Sequence, residues 1–397
     1  MNAGAATPGS QSSLREANRA RVLSAVKRFG SLTQVEVAGA TGLSPATVSN
    51  IVRELVGAGI LKRSPTSRSG RRAQQVSLAR TLGVAAGIHV GHRHLRIVLA
   101  DLSHTVLAET RLPLAADHRA DVGLDRAALL ISDQLESIGA THDELLTVGL
   151  GLPAPIDTRT GQVSAPGVLP GWAGVPIADR LSARLGRPVH VDNDANLGAL
   201  AEFRYGAARG CDHAAYISVS HGVGAGLVVD GRLFRGRAGT AGEIGHVTID
   251  EDGPVCRCGN RGCLETFVRA PVLLEMLRAS HGPLTLKDVI VRARSGDAGC
   301  RRVVADAGRH IGVAAASLCN LLNPERLVIG GELAGAGPIL LDPIRDVVER
   351  LAIPTAAGTV TIVQGELADR AEMMGALALA LSEAEVAVGV RSLAIPS

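Results

Sequence analysis

Aromatic residues are almost missing: one Trp, two Tyr and four Phe stand in 397 positions. Any large core must therefore close around aliphatic side chains, which a hydrophobic content of 46% readily supplies. Long apolar runs are missing too. No stretch approaches the ~18 uninterrupted apolar residues of a membrane-spanning helix, and the opening MNAGAATPGS carries no basic segment before an apolar one. A cytoplasmic protein with no membrane span, export signal or membrane partner is the expectation. Cysteine is too sparse for a disulfide scaffold, with six in the chain, yet three of the six fall within eight positions. That clustering points to a metal instead.

The near-neutral net charge of +3 hides an asymmetry. Residues 1–80 hold 12 Lys and Arg against 3 Asp and Glu, whereas the remainder holds 29 against 35. A basic front end on a mildly acidic body is the electrostatic footprint of a DNA-binding module joined to something else. Chain length alone allows two or three domains.

After a polar tail over residues 1–12, Ser13 and Glu16 fit a capping box, and a helix is expected to run to Phe29 and stop at Gly30. A second box, Thr33 with Glu36, opens a short helix ending near Gly42. Ser44-Pro45 then supplies a cap and a first helical residue whose missing N–H costs nothing. Val48, Ile51, Val52 and Leu55 recur at the spacing of one buried face. This leaves Ser44, Ala46, Thr47, Ser49, Asn50 and Arg53 as candidate DNA contacts at the start of a recognition helix. Two strand-like runs, 60–63 and 75–78, flank SPTSRSGRRA, read as a wing that offers Arg68, Arg71 and Arg72 to a groove or to phosphates. A helical protein-interaction module with a solvated basic loop is the plainer alternative. The stretch GLSPATVSNIVRELVGAGIL resembles the winged-helix modules of bacterial repressors, and double-stranded operator DNA is the expected partner of residues 13–80.

From residue 83 the texture changes to glycine-punctuated apolar strands. Hairpins are expected over 83–101 and around HGVGAG (221–226), with buried strands at 147–152, 189–191 and 327–329. Two sets of hairpin, strand and helix suggest two similar α/β lobes with a cleft between them. The pattern His-x9-Cys-x-Cys-x4-Cys places His246, Cys256, Cys258 and Cys263 in one segment. One imidazole and three thiolates are the donor set of a closed tetrahedral structural Zn²⁺ site, with Gly259 and Gly262 allowing the tight turn. Separate buried thiols, or redox use of Cys256 and Cys258, are the alternatives, and neither accounts for the histidine.

PAPID (153–157), DNDAN (192–196), GVGAG (222–226), GEIGH (242–246), CRCGNRGCLE (256–265) and NPERLVIGGEL (323–333) together resemble the ROK family, which contains both sugar kinases and sugar-responsive repressors. The resemblance covers the chain after residue 80. It implies an α/β fold: an N-terminal winged helix-turn-helix followed by a two-lobed actin-like, ribonuclease-H-like body of the sugar-kinase type. Residues 81–200 would form one lobe, completed by a C-terminal helix near 370–386, and 201–369 the other, with the zinc-binding loop. It also implies a sugar ringed by Asn193, Asp194, Glu243, His246 and Glu265. His246 would then serve metal and sugar through its two ring nitrogens. For Asn193 and Asp194 an Asx cap on the following helix is a rival reading.

In the family's kinases Asp194 would be the base that takes the proton from a sugar hydroxyl. Their first phosphate turn resembles Asp-x-Gly-Gly-Thr-Lys, where this chain reads His89-Val90-Gly91-His92-Arg93-His94. Their second resembles Gly-Thr-Gly-x-Gly-x-Gly, where it reads Ser220-His221-Gly222-Val223-Gly224-Ala225-Gly226. An anchor for metal-bound nucleotide and a close backbone approach to phosphates are both lost. The expectation is a sugar-responsive repressor acting as a homodimer or tetramer, without catalytic residues in use. An ATP-dependent, glucokinase-like enzyme with a DNA-binding appendage is the alternative. A regulator whose body docks a transport protein in place of a free sugar is a third reading.

Overall fold

A computed structural model describes residues 11–68, 71–115, 117–164 and 167–384, without the side chains of 11, 12, 67, 68, 71 and 72. The first helix, α1 (Gln11–Phe29), ends at Gly30, whose φ of +78° suits glycine alone. It starts earlier than the capping reading placed it. Residues 11 and 12 belong to the helix rather than to a tail, because no Pro or Gly separates them from Ser13. A short strand, β1 (Ser31–Thr33), leads into α2 (Gln34–Thr41). Both bonds of its capping box form: Thr33 N–H donates to Glu36 Oε2 at 2.8 Å, and Glu36 N–H to Thr33 Oγ1 at 3.3 Å. Next comes α3 (Pro45–Gly57), capped by Ser44, whose hydroxyl accepts from Thr47 N–H at 3.2 Å. Val48, Ile51, Val52 and Leu55 are all buried, each worth about 1.5–3 kcal/mol relative to exposure.

The wing is longer than its sequence suggests. Strands β2 (Leu61–Arg68) and β3 (Arg71–Leu78) pair antiparallel along their whole length, so most of SPTSRSGRRA is strand rather than loop. Pro65 is tolerated because β2 is an edge strand in the order β1-β3-β2.

The body contains two five-stranded sheets of one design. In the first, β4 (Val84–Val90), β5 (His94–Asp101) and β6 (Val106–Pro113) form an antiparallel meander. After α4 (Ala120–Ser137), β7 (Leu145–Leu152) joins β4 in parallel; after α5 (Ile177–Leu185), β8 (Val189–Asn193) joins β7. A crossing helix, α6 (Asp194–Tyr205), leads to the second sheet. There β9 (Ala214–Val219), β10 (Val223–Val229) and β11 (Arg232–Phe234) repeat the meander. Helices α7 (Glu265–Val268), α8 (Ala270–His281), α9 (Leu286–Arg294) and α10 (Ala298–Leu322) precede β12 (Arg326–Gly330), which is parallel to β9. Helices α11 (Pro338–Leu351) and α12 (Pro354–Thr359) precede β13 (Thr361–Gln364), and α13 (Ala371–Glu383) closes the fold. The spatial orders β6-β5-β4-β7-β8 and β11-β10-β9-β12-β13 are the same pattern twice.

The lobes exchange helices. Following the first sheet, α6 packs on β9 and β10 of the second; following the second, α13 packs on β4 and β7 of the first. The two helices also pack on each other, and α6 runs through residue 200, where a lobe boundary was expected. Glycine makes the approach possible. A Cβ on Gly149 would lie 1.9 Å from Ala376 O, and one on Gly375 1.9 Å from Leu197 O.

The winged helix is not loosely tethered. Val22, Val26, Val48 and Leu55 share one continuous apolar cluster with Ala85, Val98, Ala201, Met373, Leu377 and Leu381 of the body.

Candidate functional site

Between β11 and α7 the chain runs through one irregular segment that carries most of the unusual chemistry. Two glycines shape it: Gly242 (φ +93°), where a Cβ would sit 2.1 Å from Ala225 O, and Gly262 (φ +64°), where it would sit 1.5 Å from Asp250 O. Within it, the donor atoms of His246, Cys256, Cys258 and Cys263 lie within 4.8 Å of one another. Cys256 Sγ is 3.6 Å from His246 Nδ1, and Cys258 Sγ is 3.7 Å from Cys263 Sγ. Bond lengths of 2.3 Å to sulfur and about 2.05 Å to nitrogen around a tetrahedral ion call for about 3.6 and about 3.8 Å. The residues fit a metal ion. Burial and the neighbouring thiols push Cys263 up to about 12, and the Asn260 N–H pulls Cys258 down. Three thiols held this close without a cation are poorly disposed to ionise together, which an ion would reverse.

His246 faces two ways. Its Nδ1 points to the thiols, while Nε2 lies 4.0 Å from Glu243 Oε2. Burial, then repulsion from Glu265, raises the Glu243 carboxyl above the usual carboxylate range. Glu265 itself is buried, and both of its oxygens are held by Arg257, Nε to Oε1 at 2.8 Å and Nη2 to Oε2 at 2.9 Å. It therefore presents a neutralised pair rather than a free carboxylate. Arg257 is a site residue that the sequence reading passed over, because only the folded loop turns it back onto Glu265.

Across the cleft, Asn193 caps α6. Its Oδ1 accepts from Ala195 N–H (2.9 Å) and Asn196 N–H (3.2 Å), and its Nδ2 donates to Ala154 O (3.1 Å), leaving one amide hydrogen. The cap reading of this residue is thus realised, whatever else it does. Asp194 keeps a quarter of its side chain exposed and stands at the cleft. Burial, then Glu372 and Glu243, push its carboxyl up to about 8 against the pull of the Ala195 N–H. Glu372, at the start of α13, is also raised by burial and accepts from Tyr216 OH at 3.2 Å. Asp192 escaped the sequence reading too. It holds Asn193 N–H and Asn196 Nδ2 through Oδ1, and Arg235 Nε of the other lobe through Oδ2 at 2.7 Å.

The two glycine-type turns meet at the far side of the cleft. His89 is buried; its Nδ1 bonds His94 Nε2 at 3.4 Å, and its Nε2, 4.0 Å from Asp194 Oδ2, has no hydrogen-bond partner among the described residues. Burial, then His94 and Arg96, drive it well below the ordinary histidine value. The rings of His92 and His221, one from each lobe, stand 5.2 Å apart at 31°.

In the winged helix, Ser44, Ala46, Asn50 and Arg53 are exposed and Thr47 and Ser49 half-buried. The Ser44 hydroxyl serves the cap and bonds Thr47 Oγ1 at 2.8 Å, so its capacity for a base contact is reduced. The side chains of Arg68, Arg71 and Arg72 lie outside the described residues.

Fold and site together define a winged helix joined to a two-lobed body of the sugar-kinase type. The pattern of the ROK family matches residues 85–383, and that of the MarR family residues 16–72. The chain belongs to the ROK family. It is 32% identical to the DNA-binding transcriptional dual regulator NagC of Escherichia coli, covering 94% of this chain and 96% of that one. It is 26% identical to the xylose repressor of Bacillus subtilis, covering 92% and 95%. Among solved structures, a ROK family transcriptional regulator, a homolog of the E. coli MLC protein, superposes with a TM-score of 0.74 at 27% identity, covering 93% and 97%. A ROK family glucokinase from Streptomyces griseus, in complex with glucose and AMPPNP, reaches 0.67 at 27%, covering 75% of this chain and 99% of the other. The kinase lacks a counterpart to a quarter of this chain.

Proposed function

We propose that this chain is a sugar-responsive DNA-binding regulator that represses genes of carbohydrate metabolism or uptake. It works in the cytoplasm as a homodimer or tetramer, and His246, Cys256, Cys258 and Cys263 hold a structural zinc ion. With four protein donors the ion has no open position, so it contributes to folding rather than to chemistry. Asn193, Asp194, Glu243, His246 and Glu265 line the sugar pocket, Glu265 through its pair with Arg257. The working division is 13–80 for DNA, 81–200 with the helix near 370–386 for one lobe, and 201–369 for the other.

One observation carries the reading: both crossing helices start at the cleft, beside Asp194 and Glu372, and end on the winged helix. α6 begins at Asp194 and, 12 residues and about 18 Å later, presents Arg204 and Tyr205 to the end of α1. Arg204 Nη1 donates to Arg28 O at 3.1 Å. Tyr205 OH bonds His104 Nδ1 at 3.2 Å, and His104 Nε2 caps Lys27 O at 2.9 Å. α13 begins beside Glu372 and ends where Lys27 Nζ donates to Ser382 O at 3.0 Å and to Ala384 O. A sugar that favours one lobe arrangement therefore shifts α1, and with it the spacing of two recognition helices on half-sites about one helical turn apart.

The kinase alternative keeps only Asp194. His89, His92 and His221 leave no cradle for a triphosphate, and the full-length relatives are named as regulators. The test is DNA selection from a random library, followed by titration of the selected site with sugar and with salt. Binding that sugar alters, with log K falling about 0.9 per phosphate contact against log salt, supports the regulator. Sugar-dependent ADP release that vanishes in Asp194→Asn overturns it in favour of the kinase.

A further inference from the structure

We propose that His281, Asp297 and Cys300 form a second metal site, for a divalent transition-metal ion such as Zn²⁺, where the end of α8 meets the start of α10. The site lies outside the segment between β11 and α7 and does not depend on the sugar reading. Helix α9 turns the chain between them, so that His281, the last residue of α8, faces Asp297 and Cys300. The donor atoms of the three all lie within 4.8 Å of one another. His281 Nε2 is 3.2 Å from each Asp297 oxygen, close to the about 3.4 Å that bonds of about 2.05 Å around a tetrahedral ion require.

Two details go beyond a helix cap with a charged neighbour. The first is the orientation of the imidazole. The Ser280 hydroxyl donates its hydrogen to Leu277 O at 3.2 Å and lies 2.7 Å from His281 Nδ1. Nδ1 then carries the ring proton, and Nε2 turns a lone pair toward a carboxylate. Two acceptors at that distance need a cation between them, and a ligating histidine is held in this way through its other nitrogen. The second detail is Gly299, in the first turn of α10. A Cβ there would sit 2.9 Å from His281 Cε1, so glycine, a poor helix former, leaves the room that the ring takes.

The donor set matches a divalent ion in charge. One carboxylate and one thiolate balance it, and the imidazole completes a three-donor set with a fourth position open to water. Cys300 is fully buried, while Asp297 keeps 30% and His281 16% of the side chain exposed, so the open position faces outward with the sulfur behind it. Without a cation the thiol keeps its proton: burial, then its bond to Asp297, pushes Cys300 up to about 11. The Cys300 N–H, then His281, hold the Asp297 carboxyl down at about 2. Metal uptake therefore displaces protons from this cluster.

The experiment uses the full-length protein dialysed against a weak chelator, which a closed four-donor zinc site outlasts, and then titrated with Co²⁺ as a spectroscopic probe. The parent is expected to bind Co²⁺ with a near-ultraviolet sulfur-to-cobalt band and to release protons as it does so. Asparagine caps a helix as well as aspartate does, so Asp297→Asn keeps the cap and the unfolding temperature of the cobalt-free protein, yet should weaken Co²⁺ binding at least about tenfold. Cys300→Ser should remove the sulfur band, and His281→Gln, at a less buried position, should weaken binding as Asp297→Asn does if Cys300→Ser folds poorly. A parent that binds no Co²⁺, a Co²⁺ spectrum without the sulfur band, or unchanged affinity in Asp297→Asn overturns the site and leaves a capped helix with an ion pair.

Discussion

The two halves of the cleft have been treated in opposite ways. Around the proposed sugar pocket, polar groups are buried or half-buried and answered: Glu265 by Arg257, Asn193 by the helix it caps, His246 by thiols on one nitrogen and an acid on the other. At the paired turns, His92, Arg93 and His221 lie close enough to lower one another's charge, and His89, 4.0 Å from the Asp194 carboxyl, is held neutral chiefly by burial. A kinase needs both halves in register, because phosphoryl transfer is positioning plus charge stabilisation. A sensor needs only the first, with a way of reporting occupancy. The difference shows that the same two-lobed frame changes role through a handful of turn residues, while its sheets and crossing helices stay intact.

The largest test of this contrast is the metal loop. Cys258→Ser removes one of four donors and is expected to abolish bound zinc and destabilise the second lobe by about 4 kcal/mol, read by metal analysis and thermal unfolding. Zinc retained at one ion per chain would break the assignment. The next is the charge at Asp194. Its folded carboxyl is raised from 3.8 to about 8, so the folded protein holds a proton that the unfolded chain gives up. Stability from this source is complete below about pH 4 and is lost as pH climbs to about 8. Asp194→Asn escapes the loss. In the sugar-free protein the variant should match the parent at pH 4 and exceed it by about 2 kcal/mol at pH 8, a figure reduced for the exposed quarter of the side chain. Urea unfolding at the two pH values measures it, and parallel curves would refute the cause. The smallest effect is at the far end of α6. Arg204→Ala removes one bond to Arg28 O, worth about 1 kcal/mol, and should cut by about fivefold the factor by which sugar changes operator affinity. An unchanged factor would mean that α13 alone carries the signal.

Local signals were mostly legible, the exception being the Ser13–Glu16 box, which lies inside α1 rather than at its start. The Thr33–Glu36 box, the Ser44 cap and the buried face of α3 depend on residues three or four positions apart, and all form as their spacing suggests. The hairpin turn at Gly91 and the clustering of His246 with three cysteines are short-range in the same way. Strands β1, β6, β11 and β13 were missed. Three of them are three or four residues long and supported by tertiary pairing rather than pattern, and β6, eight residues long, is a largely exposed edge strand without a continuous apolar run. The wing was read too short because Pro65 and the serines around it look like a turn, and only edge pairing makes them a strand.

The sequence by itself determined the two modules, the clustering of His246 with three cysteines and the histidines in the β4–β5 and β9–β10 turns, because each is written in residue type at fixed short spacing. Only the tertiary structure decided that Arg257 locks Glu265, that Asp192 and Arg235 bridge the lobes, and that α6 and α13 swap sheets and end on the DNA-binding module. Those contacts join positions 8, 43 and up to 357 residues apart. Their energy comes from burial and charge meeting in space, which no local pattern encodes.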